Sequence, residues 1–190
     1  QPCSSAASDV YKRQLLNGLF LKTVLADRIA PFVDNGFNSN INTLSALDIW
    51  VLAFLFGFQI YFDFAGYSMI AIGSARLMGI SFPDNFNFPY MASSPRDFWK
   101  RWHISLSSWV RDYLYLPLCG VLPKHNSEGG IEPLEMNISR PRKTWALFIS
   151  WAIMGLWHGA NWTFVIWGIW HSFLIFSQRK IQQIIKINNK

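Results

Sequence analysis

Charge is scarce in this chain. Asp, Glu, Lys and Arg make up 15% of its 190 residues, against about 25% in an ordinary soluble domain. Cysteine is scarcer still. Cys3 and Cys119 are the only two, with no Cys-x-x-Cys pair, which removes a zinc or redox motif from consideration. There is no Gly-rich phosphate loop, no nucleophile elbow and no histidine spacing that builds a compact metal site, so neither a serine nucleophile nor a bound metal is indicated. Residues 1–14, QPCSSAASDVYKRQ, lack the apolar stretch of a signal peptide. They resemble translated adaptor sequence, and we expect a non-native leader there, followed by one domain over 15–190.

Aromatic and aliphatic residues fill the space that charge leaves. The chain is 51% hydrophobic and 17% aromatic, with ten Trp, a composition that points to a lipid bilayer. The net charge of +6 is spread as Lys and Arg beside apolar runs. That pattern marks the cytoplasmic ends of membrane spans and argues against a nucleic-acid partner, which would need one basic face.

Residues 15–34 are too charged to span, since Lys22, Asp27 and Arg28 interrupt them. An interfacial amphipathic helix is expected. Residues 44–62 suit a span of about 30 Å, capped by Ser45 with Asp48 three residues on. A second apolar stretch from Ala65 to Ile80, rich in small residues, suggests a hairpin-like pair. Asp63 reads as a helix-end carboxylate bonded to backbone or to Arg76. Residues 81–95 carry three prolines and read as irregular. Residues 96–116 read as one amphipathic helix: Trp99, Trp102, Leu106, Trp109 and Tyr113 form an apolar stripe, and Arg96, Lys100, Ser107 and Arg111 lie beside it. Residues 119–144 form a polar loop closed by the basic run 140–143. Residues 145–176 contain no Asp, Glu, Lys or Arg and predict two helices, or one broken near Gly159. The fold class expected is all-α: polytopic transmembrane helices with interfacial or re-entrant amphipathic helices.

His158, in Gly155-Leu-Trp-His-Gly-Ala-Asn-Trp162, is the sharpest chemical signal. An intramembrane imidazole is a functional candidate by default, and burial favours its neutral, proton-accepting form. Asn161, three residues on, is placed to orient the ring on a shared helical face. Left open is a histidine that only bonds a neighbouring helix. His103 sits where the apolar stripe meets the basic one, and an interfacial structural role stays open for it. His171 reads as packing, and His125 as a solvated loop residue. What remains is a general-base reaction between two bound substrates.

The blocks Gln59-Ile-Tyr-Phe-Asp-Phe-Ala-Gly-Tyr67, Pro83-Asp-Asn-Phe-Asn-Phe-Pro-Tyr90, Arg96-Asp-Phe-Trp-Lys-Arg-Trp-His-Ile-Ser-Leu-Ser-Ser-Trp109, Arg111-Asp-Tyr-Leu-Tyr115 and Gly155–Trp162 resemble the membrane-bound O-acyltransferase (MBOAT) family. The branch they are most similar to holds the bacterial alginate and peptidoglycan O-acetylation membrane proteins; teichoic-acid D-alanylation proteins are more distant. The resemblance covers residues 15–176 and implies that this chain is the C-terminal part of a longer, multi-pass inner-membrane protein. It implies His158 and His103 as catalytic residues, the second in an Arg-Trp-His-Ser-type block with Ile104 interposed. It implies acetyl transfer from a cytoplasmic thioester, acetyl-CoA, toward hydroxyls of an extracytoplasmic polysaccharide such as alginate, directly or through a periplasmic acetyltransferase partner. No permanently bound cofactor is implied. Arg96, Lys100, Arg101 and Arg111 are candidates for the donor's phosphates, or for a headgroup-facing helix. Two alternatives stand beside this reading: D-alanyl transfer to teichoic acid, and a membrane transporter or scaffold without chemistry.

Overall fold

The computed structural model describes residues 5–121, 123–125, 131–133 and 140–188. Cys3 and the His125 side chain lie outside the described set. The chain divides into two units, Gln1–Asn85 and Phe86–Lys190.

The first unit pairs two long helices. α1 (Ser5–Leu19) runs through a π-helical stretch, Phe20–Ala26, into α2 (Asp27–Phe37). The interfacial helix expected over 15–34 is therefore part of a longer one. A 3-10 turn at Ile41–Thr43 leads to α3 (Ala46–Leu77). The capping box at Ser45 and Asp48 is present: the Asp48 N–H donates to Ser45 Oγ at 3.2 Å, and the Ser45 N–H donates to the Asp48 carboxylate at 2.8 Å. The two helices run antiparallel. Gly36 lies against Leu52, Gly18 against Gly66, and Gly73 against Leu15 and Tyr11.

The expected hairpin over 44–80 is corrected: α3 is one helix of 32 residues. Gly66 and Gly73 do not break it, because they sit where the partner helix presses closest. A Cβ at Gly66 would lie 2.7 Å from the Gly18 carbonyl oxygen. Asp63 is consequently mid-helix, and its partner is Lys22 at 2.6 Å, with Arg76 turned to Gln14 and Asp84. Lys22 also holds Asp27 at 2.8 Å. At 1.5 Å per residue α3 is about 48 Å long, enough to cross a bilayer core of about 30 Å. Only 11% of its most apolar window is buried, so it is not the core helix of a soluble fold. Among the described residues it is the one helix that passes by length and composition.

In the second unit, α4 (Pro95–Arg101), α5 (Ile104–Trp109), a π-helical turn (Val110–Tyr115) and α6 (Leu116–Cys119) follow one another. A two-strand antiparallel hairpin pairs β1 (Pro123–His125) with β2 (Ile131–Pro133). It is a small exception in an all-α fold. α7 (Arg140–His158) and α8 (Trp162–Asn188) form a helical hairpin broken at 159–161, where Gly159 predicted the break. Their charge-free portions, 145–158 and 162–176, are each only about 21 to 23 Å long, shorter than a bilayer core.

The hairpin is closely packed because two glycines let the backbones touch. A Cβ at Gly155 would strike the Phe164 carbonyl, and one at Gly168 the Trp151 carbonyl. Trp99, Val110, Leu147, Trp151, Met154 and Ile175 make the core of this unit. We expect Gly168→Ala to push α7 from α8 and cost about 1–3 kcal/mol. The check is heating the detergent-solubilised full-length protein and following the monodisperse fraction; an unchanged midpoint would show that the contact is slack.

Candidate functional site

The site is built around α4. Ser94 caps its start, accepting from the Asp97 N–H at 3.2 Å, and Pro95 occupies the first turn, where its missing N–H costs nothing. Gln178 Oε1 of α8 accepts from the Arg96 N–H at 3.1 Å, tying this end to the hairpin. One turn on, Trp99 is buried and meets Trp151 edge-on at 4.6 Å, Trp167 at 5.8 Å and the His171 ring at 5.1 Å. His171 also contacts Trp151 and Trp167. It is a packing histidine, as its position suggested.

α4 ends at Arg101. The last helical bond runs from the Trp102 N–H to the Phe98 carbonyl at 2.9 Å, and the Arg101 carbonyl instead accepts the Asn87 N–H at 2.9 Å. The next residue but one, His103, has φ 44° and ψ 57°, in the left-handed region. Few non-glycine residues adopt it, histidine more often than most. The chain then restarts as α5, with the Ser107 N–H bonded to the His103 carbonyl at 2.9 Å. This corrects the single helix expected over 96–116. Its apolar stripe divides at the break: Trp99 enters the core, whereas Trp109 and Tyr113 are about half exposed and stack on each other at 5.6 Å.

His158 is the last residue of α7. It contacts Trp157 at 5.0 Å and Trp167 at 5.4 Å, and it is exposed in this chain rather than buried as expected. Asn161 does not share a helical face with it, because α7 stops at His158. The Asn161 side-chain oxygen accepts from the Thr163 N–H at 3.1 Å and so caps the start of α8.

Burial, with a smaller contribution from the charge of His158, pushes the His103 imidazole down to about 4. The two rings thus lie within electrostatic range. His103 Nδ1 is 3.4 Å from Ser105 Oγ.

Beside α4 is a cavity of about 500 Å³, lined by Arg96, Lys100, Arg111 and Arg179, by Ser107, Ser108 and Ser150, and by the aromatic and aliphatic groups of the core, Trp99 among them. Neither His103 nor His158 lines it; Trp99 and Ile104 do. Arg101, expected with the other cations, is turned away. Its Nε donates to Asp97 at 3.0 Å and its Nη1 to the Asn87 carbonyl at 3.4 Å. That bond holds the Asp97 carboxyl below its ordinary range. Arg111 lines the cavity but is paired with Asp112 at 2.6 and 2.9 Å. Arg179 was not singled out by sequence. The available signal was its place one helical turn after Ile175, which lines the same cavity.

An all-α chain with a bilayer-length, outwardly apolar helix is a membrane protein. Residues 13–130 match the model of the MBOAT, membrane-bound O-acyltransferase family, and the chain belongs to that family. It is 40% identical over 169 residues to the "Probable alginate O-acetylase AlgI" of Azotobacter vinelandii, covering 89% of this chain and 30% of that protein. It is 41% identical over 162 residues to the peptidoglycan O-acetyltransferase of Helicobacter pylori, 85% of this chain and 28% of that protein. To the teichoic acid D-alanyltransferase of Streptococcus thermophilus it is 34% identical over 160 residues, 83% and 34% respectively. The chain spans about a third of the length of the curated relatives it matches.

The buried neutral state of His103 has a pH consequence. An unfolded histidine takes up its proton near 6.5, whereas His103 in the fold does so near 4. The folded state therefore binds fewer protons in that window, and its stability falls as pH drops from 6.5 toward 4. We expect His103→Gln to flatten this part of the melting-temperature profile. A profile identical to wild type would assign the acid sensitivity to other groups.

Proposed function

We propose that the full-length protein is a multi-pass O-acyltransferase of the bacterial inner membrane. It moves an acetyl group from a cytoplasmic thioester, acetyl-CoA, toward hydroxyls of an extracytoplasmic polysaccharide such as alginate, directly or through a periplasmic acetyltransferase partner. The observation that carries the reading is that His103 and His158, 55 residues apart in sequence, lie within electrostatic range of each other in the fold, while Ile104, the residue after His103, lines a cationic cavity.

The chemistry follows from ordinary acyl transfer. His158 takes the proton of the acceptor hydroxyl while that oxygen attacks the thioester carbonyl. The C–S bond breaks, and the leaving thiolate recovers the proton. His103, held neutral, supplies an N–H donor to the developing oxyanion. Arg96, Lys100, Arg111 and Arg179 suit the phosphates of the donor, and the cavity's apolar wall of Trp99, Trp151 and Met154 suits its less polar portion. The short, charge-free arms of α7 and α8 fit a re-entrant hairpin that brings the cytoplasmic donor and the outer acceptor nearer each other. A second reading, D-alanyl transfer to teichoic acid, is favoured by the Streptococcus thermophilus relative; it differs in donor and acceptor and keeps the same histidines.

The test uses the full-length protein in membranes, with labelled acetyl-CoA and polymer or partner as acceptor. His158→Ala is expected to lower transfer by about 10²- to 10⁴-fold at normal expression. Retained transfer would dismiss His158 as the base. Transfer from a D-alanyl carrier instead of acetyl-CoA would decide for the second reading, and cleavage from neither donor would leave a transporter or scaffold. Lys100→Glu is expected to raise KM for acetyl-CoA with little change in kcat; an unaltered KM would remove the cavity from donor binding.

A further inference from the structure

Arg101 occupies an unusual place in the fold. It stands between Lys100 and the Trp102–His103 break, yet its guanidinium does not line the cavity. It donates to the Asp97 carboxylate at 3.0 Å and to the Asn87 carbonyl at 3.4 Å, while its own carbonyl accepts the Asn87 N–H at 2.9 Å. Asp97 in turn accepts from the Ser93 N–H at 3.3 Å. One residue thus clasps the 86–94 segment from both its backbone and its side chain. Aromatic contacts close the same clasp: Phe86 meets Trp102 edge-on at 5.1 Å, and Tyr90 lies against Phe98 and Trp102.

The clasp has a mechanical consequence. A continuing helix would need the Arg101 carbonyl to accept the Ser105 N–H. Asn87 takes that carbonyl, so the helix stops and the chain turns through the left-handed His103. A left-handed non-glycine residue is strained and persists only where its surroundings impose it. Here the surroundings are the Asn87–Arg101–Asp97 network.

The geometry points to Arg101 as a positioning residue for His103: with Asp97 and the Asn87 main chain, it ends α4 and fixes the turn on which the imidazole is presented. This rests on the acyl-transfer reading for its catalytic consequence, and stands apart from it for its structural one. A lysine in place of Arg101 offers a point charge instead of a planar fork and cannot reach both oxygens in the same geometry.

Two readouts on the full-length protein in membranes test it. The first is kinetic. Arg101→Ala is expected to lower kcat about tenfold to a hundredfold, as a displaced catalytic group does, with KM for acetyl-CoA within about twofold of wild type. Asp97→Ala should follow it, and Arg101→Lys should not restore the rate. The second readout is chemical. Diethyl pyrocarbonate labelling, resolved by mass spectrometry, should rise on the order of fivefold at His103 in Arg101→Ala as the turn opens locally, while His171, packed among three Trp rings, stays slow. A raised KM with unchanged kcat would make Arg101 a phosphate ligand and overturn the proposal. So would unchanged labelling of His103, or labelling that rises equally at His171, which signals general loss of fold. If the wild type transfers no acetyl group at all, the acyl-transfer reading fails, and the labelling of His103 against His171 still decides the positioning role.

Discussion

The packing of Trp99 against the α7–α8 hairpin is the contact on which the second unit depends. α4 has only seven residues, too few to be stable alone in water. Its one buried side chain, Trp99, is set between Trp151, Trp167 and His171. Each well-placed ring pair contributes about 0.5–1.5 kcal/mol beyond area burial. Those partners come from two different helices, so the cluster forms only when α7 and α8 are already side by side. Gly155 and Gly168 permit that closeness. The chain of dependence therefore runs from two missing side chains, through helix contact, to an aromatic socket, and from there to α4 and the histidine that follows it.

The two histidines are presented in different ways, and the difference suits different duties. His103 is half-buried on a turn that its neighbours enforce, with its proton affinity lowered. His158 ends a helix beside Trp157 and Trp167 and is exposed in this chain.

The first unit shows the same economy of charge. Lys22 bridges Asp27 and Asp63 at 2.8 and 2.6 Å, placing the one acidic group in the middle of α3 against a cation from the neighbouring helix. An ionisable group on a bilayer-length helix needs such a partner. Close approach of the backbones at Gly18 and Gly66 is what brings Lys22 within reach. Small residues and paired charge are thus two parts of one arrangement.

Much was legible without coordinates. The deficit of charge and the excess of Trp and Phe marked a membrane protein, the Ser45–Asp48 box marked the start of α3, and Gly159 marked the break after His158, because composition and capping are local properties. The length of α3 was misjudged, since its two apolar stretches either side of Asp63 read as a hairpin-like pair until Asp63 is seen paired with Lys22 in mid-helix. The break at His103 was hidden for a similar reason. The spacing of Trp99, Trp102, Leu106, Trp109 and Tyr113 is helical throughout, and the event that interrupts it is a hydrogen bond from Asn87, a residue outside the segment. Asn161 was assigned by spacing on a helix that ends at His158, before it is reached. The sequence by itself determined the solvent this chain prefers, the kinds of side chain able to do chemistry and the start of its longest helix. Tertiary structure alone decided which of those side chains meet, because meeting depends on hydrogen bonds and close contacts between residues far apart in the chain, and no local pattern records them.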